Sequence, residues 1–124
     1  MKKYVSWEMI EEFVHDVANN YANENVTGVY GLPRGGLVLA VMISHKMNIP
    51  MLMAPVDNCI IVDDICDSGE SLLHYVRNTS ANQINPYIIV TLYHKDNALG
   101  IIPHFSPYEK GEDWIVFPWE DKEE

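Results

Sequence analysis

Apolar positions along the chain fall into runs of different period, and each period points to a different element. Ser6 is suited to cap a helix, and Trp7, Ile10, Phe13, Val14, Val17, Ala18 and Tyr21 then recur at helical spacing. That spacing predicts an amphipathic helix with Trp7 in the core, ending in the polar stretch 19–25. Residues 26–31 read as a short strand, broken by Leu32-Pro33-Arg34-Gly35-Gly36. Residues 37–47 are apolar on most sides and long enough for a buried helix. After Pro50, residues 51–54 read as a second short strand and 55–58 as a turn. Cys59-Ile60-Ile61-Val62 is a continuous apolar run, as in the centre of a parallel sheet. Residues 69–76 read as a helix and 87–93 as another buried strand. The order α, β, α, β, β, α, β predicts an α/β fold, an open and mainly parallel sheet flanked by helices.

From Asn97 the pattern changes. Gly100, Pro103, Pro107, Gly111 and Pro118 interrupt Ile101, Ile102, Phe105, Tyr108, Trp114, Ile115, Val116, Phe117 and Trp119. The segment is too apolar for a disordered tail and predicts a small hood over one edge or end of the sheet. With 124 residues the chain reads as one domain, its core over about 1–96 and its hood over 97–120, with residues 120–124 frayed.

Charge narrows the function classes. Eight basic against 18 acidic residues leave a net charge of −10, with Arg34 and Arg77 as the arginines. No basic face is available for nucleic acid or anionic lipid. The longest apolar run, residues 37–43, falls far short of the roughly 18 residues of a membrane span. Lys2 and Lys3 lead into Ser6, Glu8, Glu11 and Glu12 rather than an apolar stretch, so no signal peptide is expected. Cys59 and Cys66 fit a reduced, cytoplasmic protein. Cys66 lies beside acids that disfavour its thiolate, and the five histidines show no ligand spacing for a structural metal.

The strongest chemical signal is Ile60-Ile61-Val62-Asp63-Asp64-Ile65-Cys66-Asp67-Ser68-Gly69-Glu70-Ser71. An apolar strand runs into two acids and then a small-residue turn that opens a helix. Ligands of open α/β sheets bind beyond the carboxyl ends of the strands. Backbone N–H groups of residues 67–71 can bind an anion without a lysine, and Asp63 and Asp64 can accept hydrogen bonds from vicinal hydroxyls. The combination suits a ribose phosphate. An Asp-Ser-Gly turn alone would only cap a helix; the acid pair after a buried strand favours the ligand site. The second signal, Gly31-Leu32-Pro33-Arg34-Gly35-Gly36, is neither a P-loop nor a dinucleotide fingerprint. It serves equally as a structural turn or as a phosphate contact through Arg34 and close-approaching amides.

Together the two segments resemble the type I phosphoribosyltransferases, over about residues 26–120. In that family the segment matching residues 62–71 binds the ribose and 5-phosphate of phosphoribosyl pyrophosphate (PRPP). The turn matching Arg34, Gly35 and Gly36 binds its pyrophosphate. Val90-Thr91-Leu92-Tyr93-His94-Lys95 and Asp113-Trp114-Ile115-Val116-Phe117-Pro118-Trp119-Glu120 resemble the purine-salvage branch. There the lysine matching Lys95 contacts the purine 6-oxygen and the aromatic matching Trp114 stacks on the ring.

The resemblance implies a purine phosphoribosyltransferase acting on a 6-oxopurine (guanine, xanthine or hypoxanthine). It implies Asp67 as general acid/base, and PRPP held by Arg34, Gly35, Gly36, Asp63, Asp64, Asp67, Ser68, Gly69, Glu70 and Ser71. Lys95, Trp114 and the Ile115 carbonyl would hold the purine. Mg²⁺ would arrive with PRPP near Asp63 and Asp64, and the assembly would be a homodimer. One departure stands out. The family carries a long flexible loop between its second and third core strands, whereas only residues 54–58 fill that interval here. The expectation is a slow enzyme, or one whose site a neighbouring subunit covers; the alternative is a non-catalytic PRPP- or nucleotide-binding regulator. A phosphorylation receiver domain does not fit, since its acid pair follows the first strand and His94 stands where a later aspartate would be needed.

Overall fold

A computed structural model describes residues 1–74, 87–97 and 99–120. Among them the elements are β1 (Lys2–Tyr4), α1 (Trp7–Asn20), β2 (Val29–Gly31), α2 (Gly35–Met47), β3 (Ile60–Cys66), β4 (Ile88–His94), β5 (Tyr108–Glu109) and β6 (Trp114–Val116). Residues 70–74 are also helical; positions 75 and 76 of the expected helix 69–76, and 121–124 of the expected frayed end, lie outside the described residues.

Helix α1 forms as its pattern predicts. The Ser6 hydroxyl accepts the Met9 amide at 3.1 Å, a cap of a kind worth about 1 kcal/mol. Ile10, Phe13, Val14 and Val17 form its buried stripe. Trp7 departs from the expectation: it is 48% exposed and tilts against Trp119, ring centroids 6.0 Å apart. In the first turn it meets the C-terminal segment rather than the core.

Strands β2, β3, β4 and β5 form one parallel sheet in that order. Side chains alternate across it. Val29, Ile60, Val62, Val90 and Leu92 join the buried stripe of α1 and Leu39, Ala40 and Ile43 of α2 in the main core. Tyr30, Ile61 and Ile89 face the other way and pack with Leu32, Cys59, Cys66 and Leu72. Burial on both faces is why the central strands are apolar at successive positions.

Two strand expectations change. Residues 51–54 do not form a strand: Met51 makes a single parallel bridge to Val29, and Met53 is 96% exposed. Pro50 and Pro55 bracket the segment, and a residue without an N–H cannot extend a ladder. Strand β3 runs past Val62 to Cys66, because Ile65 and Cys66 still pair with Tyr93 and His94. Asp63 and Asp64 are therefore strand residues, fixed by the ladder rather than carried on a loop.

The C-terminal segment is laced into the rest by two strands, besides a bridge of Phe105 to Val90. β5 adds to the main sheet through Tyr93↔Tyr108 and His94↔Glu109. β6 pairs in parallel with β1, aligning Lys2, Lys3 and Tyr4 with Trp114, Ile115 and Val116. Ile115 and Phe117 enter the main core, and Phe117 stacks on Trp119 at 5.0 Å. No helix among the described residues is long and apolar enough to cross a membrane.

Candidate active site

Parallel strands all end at one edge of their sheet, so the segments after β2, β3, β4 and β5 share a side of the molecule. Arg34, Gly35 and Gly36 follow β2, residues 67–69 follow β3, and Lys95 follows β4. The two motifs, more than twenty residues apart in sequence, touch. A Cβ built on Gly35 would overlap the Asp64 carboxylate, and one on Gly36 the Val62 carbonyl. Glycine here permits the start of α2 to lie directly on the acid pair. Arg34 is exposed at that helix start, and the Pro33–Arg34 peptide is cis.

The bend after β3 is built around Gly69, whose φ of 85° suits a residue without a side chain. A Cβ there would also approach the Asn97 carboxamide oxygen within 2.9 Å. Asn97 in turn accepts the amides of Leu99 and Ile101, both at 3.1 Å, and donates to the Ile101 carbonyl at 2.8 Å. Asp67, Ser68, Gly69, Glu70 and Ser71, with Asp63 behind them, line a concavity of about 100 Å³. That is the space of roughly three waters, the scale of a phosphate group rather than a whole nucleotide. One expected donor is already engaged, since the Glu70 amide binds the Ser68 hydroxyl at 3.2 Å. The exposed Glu70 carboxylate is the least suited of the named residues to hold an anion.

The acid pair is electrostatically loaded. Burial first, and then the adjacent Asp64 carboxylate, push the Asp63 pKa from its ordinary 3.8 to about 8. Asp63 Oδ1 accepts the Asp64 amide at 2.8 Å and Asp64 Oδ1 the Ile65 amide at 2.7 Å. A hard cation or a pair of hydroxyls at this edge would relieve the crowding. No group of three His, Cys, Asp or Glu side chains among the described residues is gathered to hold a metal ion. Two carboxylates fit an ion that arrives with its own phosphate ligands better than a resident one. The Cys66 thiol is pushed up in pKa by burial, then by Asp63 and Asp67, and so stays protonated and inert at neutral pH.

Lys95 and Trp114 lie on the side of the edge built by β4 and the C-terminal segment. The Lys95 amide is held by the Cys66 carbonyl at 2.9 Å, and its Nζ is 3.7 Å from Glu112, two residues before Trp114. Trp114 is 69% exposed, leaving a ring face open for stacking. Its amide donates to the Met1 carbonyl, and the Val116 carbonyl accepts the Val5 amide, both at 2.9 Å. Backbone groups alternate along a strand, so the amide and carbonyl of Ile115 point to the edge of β6 away from β1. The Ile115 side chain is buried in the core and only its backbone is offered.

Lys110 was not indicated by any motif, yet its Nζ lies 3.8 Å from Asp67 Oδ2. Its one sequence signal is being a cation in a strongly acidic chain. Asn97, which fixes the bend, gave none.

The acid pair in a central parallel strand, the bend after it and the glycine turn lying on Asp64 are arranged as the resemblance implies, and solved structures show the type I phosphoribosyltransferase fold. No family model matches the chain. It is 24% identical to the xanthine-guanine phosphoribosyltransferase of Idiomarina loihiensis, over 94% of this chain and 86% of that protein. The purine phosphoribosyltransferase of Pyrococcus horikoshii superposes with a TM-score of 0.85 at 24% identity, covering 97% of this chain and 94% of that one. The xanthine-guanine-hypoxanthine phosphoribosyltransferase of Helicobacter pylori gives 0.78 at 20% identity, with the same coverage of 97% and 94%. The likeness to purine phosphoribosyltransferases thus extends beyond residues 26–120, where the motifs lie, to nearly the whole chain.

Proposed function

We propose that the protein transfers the phosphoribosyl group of PRPP to a 6-oxopurine, giving the nucleoside monophosphate and pyrophosphate. The observation that carries this is the contact between the motifs: the glycine turn lies on Asp64, and the phosphate-sized concavity opens beside Asp63. A ligand with a sugar between two phosphate groups spans such a site. The names of the relatives support the purine as acceptor.

The residues divide the work. The amides of the bend other than that of Glu70, with the Ser71 hydroxyl, receive the 5-phosphate, and Asp63 and Asp64 the ribose hydroxyls. Arg34 and the amides of Gly35 and Gly36 receive the pyrophosphate. Mg²⁺ carried by PRPP against Asp63 and Asp64 would neutralise charge on the departing pyrophosphate. As the bond from ribose C1 to pyrophosphate breaks, one forms from C1 to the purine nitrogen. Asp67 takes the proton that the purine imidazole gives up. Lys95 has donors only, which suits a 6-oxo group and opposes a 6-amino group. The Ile115 carbonyl suits a 2-amino group, and Trp114 stacks on the ring.

Incubation with PRPP, Mg²⁺ and each of guanine, hypoxanthine, xanthine and adenine tests this. Nucleotide should form with the 6-oxopurines and not with adenine. Adenine turning over as well as guanine overturns the base assignment, and no product with any base overturns the transferase reading. The short connection 54–58 favours one other reading, a regulator that binds PRPP or a nucleotide without turnover. Saturable PRPP binding without pyrophosphate release would support it.

A further inference from the structure

Asp67 differs from the other two acids in what holds it. Asp63 and Asp64 each keep one carboxylate oxygen on the next backbone amide. Asp67 lies in the bend with its side chain 55% exposed, and its Oδ2 faces the Lys110 ammonium at 3.8 Å. Lys110 is no ordinary surface lysine. Its side chain is only 15% exposed, so its stem is packed. Its amide donates to the His94 carbonyl, at the end of β4, at 2.7 Å. The residues just before it, Tyr108 and Glu109, are laddered to Tyr93 and His94. The ammonium is therefore delivered to the bend by the sheet itself. Two mobile exposed side chains would hold neither partner, whereas a packed stem has already lost most of its freedom before it pairs.

We propose that Lys110 is a positioning residue for Asp67: it holds Oδ2 and leaves Oδ1 to take the purine proton. This rests on the phosphoribosyltransferase reading and on the acid/base role of Asp67 within it. The mechanism is orientation. Displacing a reacting group by about 1 Å can cost roughly 10²-fold in rate, and a carboxylate on a glycine-containing bend has the freedom to move that far.

The test uses the whole chain, with kcat and KM measured for PRPP and for the purine that turns over best. Lys110→Met should lower kcat at least tenfold and leave KM for PRPP within about twofold, because the phosphate amides are untouched. Lys110→Arg should restore most of kcat. Lys3→Met breaks the Lys3–Asp113 pair of similar length, 3.7 Å, away from the bend, and should leave kcat unchanged. In an Asp67→Asn background Lys110→Met should cost nothing more, since no carboxylate remains to be aimed. Wild-type kcat in Lys110→Met overturns the proposal, and so does an equal loss in both backgrounds. Should Lys110→Met melt far below wild type, Lys110→Gln, which keeps most of the stem, takes its place with the same expectations. If the unmodified protein transfers phosphoribose to no purine, the functional reading itself falls.

Discussion

Replacing Asp63 by asparagine should make the protein more stable and a worse binder of PRPP. In the folded chain the Asp63 proton is held up to about pH 8, against an ordinary 3.8. A group whose folded pKa is raised contributes stability fully below the unfolded value and loses it as pH climbs through the folded one. The affected window is therefore about pH 4–8. Each pH unit inside it is worth at most about 1.4 kcal/mol, so from pH 5 to pH 8 the ceiling is about 4 kcal/mol. Asp63 borders the concavity after β3, where water and small shifts relieve part of that cost, and about 2 kcal/mol is the expected loss. Asparagine keeps an oxygen for the Asp64 amide, now bonded at 2.8 Å, and does not titrate. Urea unfolding of both proteins at pH 5, 6, 7 and 8 should show the Asp63→Asn advantage widening by about 2 kcal/mol, roughly 5–10 °C in Tm for a chain of this size. A gap that stays constant across the four pH values, or a variant less stable at pH 8, would refute the reasoning. Calorimetry of the same variant with PRPP and Mg²⁺ should show weakened binding.

Three further outcomes follow from the site. Asp67→Asn should keep PRPP affinity and lower turnover by about 10²-fold; near-normal kcat in steady-state assays removes Asp67 from the acid/base role. Gly35→Ala places a methyl group against the Asp64 carboxylate, so PRPP affinity by calorimetry should fall about tenfold or more with the fold intact by circular dichroism; unchanged affinity would show that this contact plays no part in binding. Trp114→Ala should raise KM for every purine alike, whereas Lys95→Ala should narrow the preference for 6-oxopurines over adenine. Stacking on an open ring face, worth roughly 1–3 kcal/mol, does not distinguish bases, but a lone set of donors does.

The legible parts of this chain were those with a period or a local chemical reason. Ile10, Phe13, Val14 and Val17 announce α1 by spacing, and Ile60, Ile61 and Val62 announce a strand buried on both faces. The acid pair and bend were legible because strand, acids and turn are contiguous. What escaped depends on partners distant in sequence. β1 has three exposed residues and no pattern, and exists because β6 pairs with it. β3 extends through Asp63 and Asp64 only because β4 reaches as far, which no local preference of aspartate would suggest. Residues 51–54 are apolar but include no β-branched or aromatic side chain, and they lie between prolines whose missing N–H groups stop a ladder. Lys110 reached the site through the ladder of β5 on β4, a contact that spacing within the chain does not encode.

The pairing of β1 with β6 also sets the order in which the molecule can assemble during synthesis. The central strands and α2 are joined by crossovers of modest length and can begin to collapse while the chain is still emerging from the ribosome. Lys2, Lys3 and Tyr4 have no strand to pair with until Trp114, Ile115 and Val116 emerge. The proposed phosphate half of the site belongs to the part made early. The proposed purine half, with Trp114 braced on the Met1 carbonyl, waits for β6. With residues up to 113 clear of the ribosome, a nascent chain should therefore already carry the bend after β3 and lack the proposed surface for a base. Extending the chain past Val116 adds the proposed base-stacking face in one step, as β6 closes on β1.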